Sequence, residues 1–328
     1  MYRQFLNSNQ IMEKFLSCDW GTSSFRLRLV EITGARILAE ENSDQGISKV
    51  FEWWKQTGQS ENSRFSFYLG TIRQHIQAIG RKFNSSLDGC PLVISGMACS
   101  TLGMIDLPYK ELPSSTDGSD LVTRIINAGD FRHDIIFISG VRTESDAMRG
   151  EETQLVGCFP GEQEQVFIFP GTHSKHVIVK NGKIVDVRTY MTGEFFELLC
   201  AKSILSVGLQ KTTDLNNEKN KNAFEAGVKE SLHSNLLHGS FKVRTNYLFH
   251  KFSEPENYHY LSGLLIGTEM KEIGGVDCEI ILVTSSYLHS HYEIATKLVK
   301  NKPGRLRIQN ADEAMVAGQL KILNRLFK

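Results

Sequence analysis

No run of apolar residues in this 328-residue chain approaches the ~20 that a membrane span needs, so a membrane is not expected as a partner. The opening MYRQFLNSNQIMEKF lacks a continuous apolar core and does not read as a secretory signal. Residues 1–13 read as a loose extension before the first strand. Net charge is missing as well. Lys+Arg and Asp+Glu both number 37, which argues against nucleic acid as the main partner, because such partners select a basic face. The six cysteines (Cys18, Cys90, Cys99, Cys158, Cys200 and Cys278) include no C-x-x-C pair and sit mostly in apolar runs. That is the usage of buried thiols in a reducing cytoplasm, not of a disulfide framework or a zinc site. There is no G-x-x-x-x-G-K-[ST] loop, no H-E-x-x-H and no evident Ser/His/Asp order. The chain is therefore not a P-loop kinase.

The bulk composition, 41% hydrophobic and 23% charged, suits a globular protein, and the length allows two domains of roughly 100–200 residues each. The detail is repetitive. Residues 18–30 read CDWGTSSFRLRLV. A first strand covers roughly Phe15–Cys18. A polar turn follows, and then Phe25, Leu27 and Leu29 alternate with Arg26 and Arg28, the period of a half-buried strand. Thr33-Gly34 turns the chain into a third strand at Arg36–Ala39. The plan returns at Val166–Phe169, with a Pro170–Lys175 turn, a His176–Val179 strand, an Asn181-Gly182 hairpin of type I′ and a Lys183–Val187 strand. Gly21-Thr22-x-Ser24 falls on Gly171-Thr172-x-Ser174. Two unrelated hairpins could give this, since Gly-Thr turns are common. The other reading is two related domains whose turns face one cleft, where backbone N–H groups and hydroxyls cradle a polyphosphate. Asp19 would then hold Mg²⁺ through water.

Between the meanders, Pro91–Ile94 runs into Ser95-Gly96-Met97 and Ile135–Ile138 into Ser139-Gly140. Both read as buried strands ending in glycine turns, where α/β sheets place ligands. Met97 reads more readily as core than as contact. Beyond the second meander, Phe195 to Leu205 predicts an amphipathic helix with Thr192 as its N-cap. Residues 210–222 read as a polar surface loop. Leu261–Gly267 is a small-residue helix packed closely on something, and Ala311–Leu326 is helical by period.

MRGEETQLVG at 148–157 reads as a helix start with acids in its first turn. That chemistry alone would account for Glu151 and Glu152. Their place after a strand and turn also suits a carboxylate that takes a proton from an attacking hydroxyl. Phosphoryl transfer needs little more than Mg²⁺, donors on the phosphates and an in-line hydroxyl. His173 is either a plain turn residue or a phosphate contact, and Lys175 is either a solvated strand end or, three residues beyond Thr172, a group within reach of a phosphate. Arg149 and Arg188 are either surface ion-pair partners or a bidentate clamp for a sugar-acid carboxylate.

D-W-G-T-S-S at 19–24, M-R-G-E-E-T-Q-L-V-G at 148–157, F-P-G-T-H-S-K at 169–175, R-T-Y-M-T-G-E at 188–194 and L-S-G-L-L-I-G at 261–267 resemble the 2-dehydro-3-deoxygalactonokinase family. That family belongs to the sugar kinase, actin and heat-shock-chaperone ATPase fold. The first block is shared by many sugar kinases; the second and third together are more specific. The resemblance runs from about residue 14 to the C-terminus. It implies an α/β protein of two actin-like (ribonuclease H-like) domains, 14–164 and 165–310, around an ATP cleft, with a helix at 311–328 packing back toward the first. Ala314–Gly318 matches the small-residue part of that helix.

The resemblance further implies ATP- and Mg²⁺-dependent transfer to the 6-hydroxyl of 2-dehydro-3-deoxy-D-galactonate, with lobes that close on the sugar. By the same resemblance Asp19 holds the metal. Gly21, Thr22 and Ser23 form the first phosphate loop, and Gly171, Thr172, His173, Ser174 and Lys175 the second. Glu151, or else Glu152, is the base. Ser95, Gly96 and Met97 line the sugar, with Arg149 or Arg188 for its carboxylate. Ser285 lies in an adenosine-side stretch, Leu282–Tyr287, that lacks the glycine usual there. The alternatives are a kinase of the same fold for another sugar acid or ketose, and a nucleotide-dependent regulator that transfers nothing. The expected partner is a small molecule, and a homodimer is left open.

Overall fold

Phe15, Leu16, Cys18 and Trp20, with Phe25, Leu27 and Leu29, are completely buried. Each such burial contributes roughly 1.5–3 kcal/mol for a large side chain. They make β1 (Lys14–Trp20) and β2 (Phe25–Glu31) an antiparallel pair that β3 (Arg36–Ser43) extends. The structure is a computed structural model describing residues 12–300 and 305–327. The expected extension at 1–13 lies outside the described residues except for Met12 and Glu13.

Helix α1 (Ile47–Gln56) leads to α2 (Arg64–Phe83), whose Tyr68, Leu69, Ile72, Ile76 and Ile79 recur at helical spacing and join the core of this sheet. Then come β4 (Leu92–Gly96), the two-residue strands β5 (Lys110–Glu111) and β6 (Ser114–Ser115), β7 (Thr123–Ile126) and β8 (Ile135–Ile138). The main sheet runs β3-β2-β1-β4-β8-β7, with β1, β4 and β8 parallel. Short strands β9 (Val141–Arg142) and β10 (Ala147–Met148) join β5 in a small second sheet and lead into α3 (Glu151–Gly157).

A second meander, β11 (Gln165–Phe169), β12 (Ser174–Lys180) and β13 (Lys183–Tyr190), follows. Its hairpin has positive φ at both Asn181 and Gly182, 52° and 67°, as a type I′ turn demands. Four helices come next: α4 (Thr192–Lys202), α5 (Glu218–His233), α6 (Leu236–Leu248) and α7 (Glu254–Met270). After them lie β14 (Glu279–Thr284), α8 (Ser286–Val299), β15 (Leu306–Asn310) and α9 (Ala311–Leu326). Here the strand order is β15-β14-β11-β12-β13, with β15, β14 and β11 parallel. Reversed, that is the β3-β2-β1-β4-β8 arrangement with the same sequence of parallel and antiparallel steps. Two unrelated hairpins would give no reason for the match. The chain folds as two compact units, the described residues to Pro160 with Asp312 onward, and Gly161–Ala311.

Three local expectations change. Arg28 does not face solvent from a half-buried strand. It is 1% exposed, with Nε 2.6 Å from Glu40 and Nη2 2.7 Å from Asp312, because α9 brings an acid to it. Thr192 is the first residue of α4 rather than its N-cap, which is Met191. The polar 210–222 segment is a loop only to Asn217. The Asn217 side chain caps α5 by accepting from Lys219 N.

The small-residue stretch in α7 packs on α5. A Cβ on Gly263 would meet the Phe224 carbonyl oxygen and come 3.1 Å from Phe224 Cα, and one on Gly267 would sit 2.9 Å from Val228 Cα. Gly263→Ala therefore gains about 1 kcal/mol of helix propensity but forces two backbones apart, at about 1–3 kcal/mol. The expected net outcome is a lower thermal unfolding midpoint by scanning calorimetry; an unchanged or raised midpoint would show that the crossing yields freely.

Candidate active site

The first polar turn closes through Gly21 N–H to Ser24 O at 2.9 Å. Its carbonyls are taken by the start of α1: Ile47 N donates to Gly21 O at 3.0 Å and Ser48 N to Thr22 O at 3.1 Å. This satisfies helix-start donors that otherwise lack partners. Gly46, the N-cap, makes the seat possible, since a Cβ there would lie 2.5 Å from Ser23 Cα. Ser23 is exposed, and Gly21 and Thr22 are partly so. The Asp19 side chain is 13% exposed, with one oxygen 3.1 Å from Arg26 Nη1.

Parallel pairing sets Asp19 beside Ser95 and Trp20 beside Gly96. Gly96 has φ +92°, and a Cβ on it would come 2.7 Å from Trp20 O. Gly150 has φ +116°, and its Cβ would lie 3.3 Å from Gly96 Cα. Two glycines in left-handed conformations thus bring three separate segments together: the Asp19 turn, Ser95–Met97 and the start of α3.

At that helix start the two acids differ. Glu151 is partly exposed, and its Oε2 accepts from Arg149 N at 3.1 Å. Glu152 is fully buried, accepting from Gly150 N at 2.8 Å and from Thr153 Oγ1 at 3.0 Å. Burial, reinforced by the neighbouring Glu151 charge, pushes the Glu152 carboxyl from an ordinary 4.5 up to about 8. Arg149 is also buried. Its guanidinium lies 4.0 Å from the centre of the Tyr109 ring and donates to the Cys99 and Leu107 carbonyls. Ser95 is buried and accepts from Gln319 Nε2 at 3.1 Å, while the same amide reaches Cys18 O at 2.9 Å.

The Gly161–Ala311 unit builds its turn the same way. Glu194 N donates to Thr172 O at 3.0 Å, and a Cβ on Gly193 would stand 2.6 Å from Gly171 O. His173 Nε2 meets Glu194 Oε2 at 2.5 Å. Ser174 is buried with its hydroxyl on Glu269 at 2.6 Å, and the buried Lys175 ammonium reaches His173 O at 2.9 Å. Arg188 is exposed and ion-paired with Glu272 at 2.6 Å and Asp186 at 3.5 Å. Ser285 is exposed at the N-cap of α8.

The sequence-derived residues therefore fall into two groups. Asp19, Gly21, Thr22, Ser23, Met97, Glu151, Gly171, Thr172, His173, Arg188 and Ser285 have exposed surface, whereas Ser95, Gly96, Arg149, Glu152, Ser174 and Lys175 are buried. Gly46, Glu269 and Gln319 went unread in the sequence, and Gly193 and Glu194 entered only as part of the 188–194 motif block. A glycine at the helix start after each meander was the available signal.

A sequence model of the 2-keto-3-deoxy-galactonokinase family matches residues 19–322. The chain belongs to that family. Family membership makes it a kinase, a phosphotransferase that uses ATP. It is 31% identical over 319 residues to DgoK1 of Rhizobium meliloti (strain 1021), named a probable 2-dehydro-3-deoxygalactonokinase, with 93% of this chain and 94% of the relative covered. The 2-dehydro-3-deoxygalactonokinase of Escherichia coli (strain K12) is 28% identical over 290 residues, covering 86% and 89%. The crystal structure of a Sinorhizobium meliloti protein named a putative 2-dehydro-3-deoxygalactonokinase superposes with a TM-score of 0.75 at 28% identity, covering 95% and 99%. Component A of the (R)-2-hydroxyglutaryl-CoA dehydratase of Acidaminococcus fermentans, at 10% identity and a TM-score of 0.52, covers 96% and 99% and shares the fold alone. The α/β fold of two actin-like units is the one expected from the sequence.

In this kinase, Glu152 makes stability depend on pH. The unfolded carboxyl releases its proton near 4.5 and the folded one near 8. Between those values the folded state holds more protons, so the contribution of Glu152 is full below 4.5 and is lost as pH rises through 8. Glu152→Gln keeps an acceptor for Gly150 and removes the titration. Urea denaturation from pH 5 to pH 8 is expected to show the variant gaining steadily on the wild type; a constant difference would place the Glu152 carboxyl near its ordinary range.

Proposed function

We propose that the protein transfers the γ-phosphoryl group of ATP to the 6-hydroxyl of 2-dehydro-3-deoxy-D-galactonate, as a cytoplasmic enzyme of galactonate breakdown. The observation that carries this is the convergence at Gly96 of the Asp19 turn, the Ser95–Met97 turn and the Gly150–Glu151 helix start. Metal, substrate and base functions then share one end of one sheet, where α/β folds bind ligands.

Glu151 is the base in this reading. It has exposed surface, and the Arg149 amide orients it, whereas Glu152 is sealed and acts on the backbone of Gly150. Gly21, Thr22 and Ser23 are assigned to phosphate oxygens, as are Gly171, Thr172 and His173. Ser174 and Lys175 support the second turn from beneath. The adenosine is assigned to the stretch around Ser285. The sugar acid lies along Met97, with Ser95 and Gly96 fixing that turn. Both Nη groups of Arg149 serve carbonyls while its buried Nε has no partner among the described residues, and Arg188 is ion-paired with two acids, so a substrate carboxylate at Arg188 competes with Glu272 and Asp186.

The residues fit a Mg²⁺ ion that arrives on the nucleotide. Among the described residues no cluster of three His, Cys, Asp or Glu could cage an ion, and Mg²⁺ on phosphates needs only one or two carboxylates because it keeps several waters. Asp19 would be that carboxylate, and it is held by a 3.1 Å ion pair with the half-exposed Arg26. When bound, the ion would screen the charge of the phosphates.

An ADP-release assay across sugar acids tests the function. The 2-dehydro-3-deoxygalactonate rate is expected to exceed that of the gluconate epimer and of neutral sugars. Retained ATP binding with no turnover on any sugar acid would favour a non-catalytic regulator. Glu151→Gln is expected to lower kcat by about 10²–10⁴. If Glu151→Gln keeps its rate while a Glu152 replacement abolishes it, the base is misassigned. Asp19→Asn should raise the Mg²⁺ concentration needed for half-maximal rate; an unchanged Mg²⁺ titration counts against Asp19.

A further inference from the structure

Glu269 lies in the last turn of α7 with its side chain 1% exposed, outside every sequence motif assigned to the reaction. A buried carboxylate costs several kcal/mol unless its oxygens are well paired. Here four groups pair it. Oε1 receives the Ser174 hydroxyl at 2.6 Å and His176 Nε2 at 3.0 Å; Oε2 receives the Thr192 hydroxyl at 2.5 Å and the Tyr292 hydroxyl at 2.7 Å.

The positions of these partners matter more than their number. Ser174 ends the Gly171–Ser174 turn. Thr192 begins α4, and the two residues after it seat the same turn from the other side. Gly193 allows the close approach to Gly171 and Thr172, and Glu194 holds both the Thr172 carbonyl and the His173 ring. One carboxylate therefore fixes both flanks of the turn, and Tyr292 ties α8 to it as well. Stability alone is a poor reason for this arrangement, because well-packed apolar residues in place of a buried charge network are often neutral or stabilising. Donors that must meet phosphate oxygens do require such rigidity, since binding geometry is held by the groups behind the contacting ones.

We infer that Glu269 is a positioning residue for the nucleotide: it holds the Gly171–Ser174 turn in the shape that binds the phosphates of ATP. The inference rests on the phosphotransfer reading above. Isothermal titration of full-length protein with ATP, with no sugar acid present, is paired with steady-state kinetics and unfolding midpoints. Glu269→Gln and Thr192→Val are each expected to weaken ATP binding about tenfold, with the sugar-acid KM within about twofold of wild type. Thr192→Ser, which restores the hydroxyl, is expected to recover the affinity. Variants that lose thermal stability yet bind ATP like the wild type would overturn the inference, as would equal losses for both substrates with Thr192→Ser no better than Thr192→Val. Should Glu269→Gln fail to fold, the Thr192 pair decides alone. Wild-type protein that binds no ATP would instead overturn the phosphotransfer reading itself.

Discussion

The two Gly-Thr turns of this protein are each held by backbone against backbone, at a place where a side chain would not fit. Gly46 lets the start of α1 close on Thr22 and Ser23, and Gly193 lets the start of α4 close on Gly171 and Thr172. In both, a helix-start amide takes the carbonyl of the threonine, through Ser48 in one unit and Glu194 in the other. Helix N-termini carry donors without intrahelical partners, and these turns supply the acceptors. The turn is then anchored by its main chain, which leaves short polar side chains such as Ser23 and Thr172 at the surface.

The two units apply one plan with different supports. In the unit that contains α9, Gln319 reaches the end of β1 at Cys18 O and the end of β4 at Ser95 Oγ. A neutral amide suffices there, because it faces one carbonyl and one hydroxyl. In the other unit the corresponding work falls to Glu269, which meets three hydroxyls and a histidine ring. Those partners can all donate, so an acceptor-only carboxylate suits them. The chemistry of each support follows from what surrounds it.

Local patterns were legible in the sequence. Alternation gave the meander strands, Asn181-Gly182 gave the hairpin, and the paired Gly-Thr turns disclosed the repeat. The recurrent glycines of Leu261–Gly267 gave the close helix crossing, and the motif blocks gave the family. What stayed hidden depends on partners distant in sequence. Arg28 reads as an outward residue of a strand until Asp312 is brought to it. Glu269 reads as one more acid near a helix end, since nothing nearby reveals the donors on β12, α4 and α8. Thr192 has the right chemistry for an N-cap, but its hydroxyl goes to Glu269 instead. Burial of a polar group is a tertiary fact, and a one-dimensional pattern carries it only where the period exposes it.

Glu151 and Glu152 show how far adjacency misleads. Neighbouring helix residues point about 100° apart, so one acid of the pair turns inward as the other turns out. The inward one, Glu152, accepts the Gly150 N–H and Thr153 hydroxyl and helps keep Gly150 in its left-handed conformation against Gly96. That same conformation brings the start of α3 up to the end of β4, where Asp19 and Ser95 lie side by side. The outward acid is therefore placed by the inward one. A single acid after Gly150 could not both hold the helix start in position and present a carboxylate outward, and two successive acids separate those tasks.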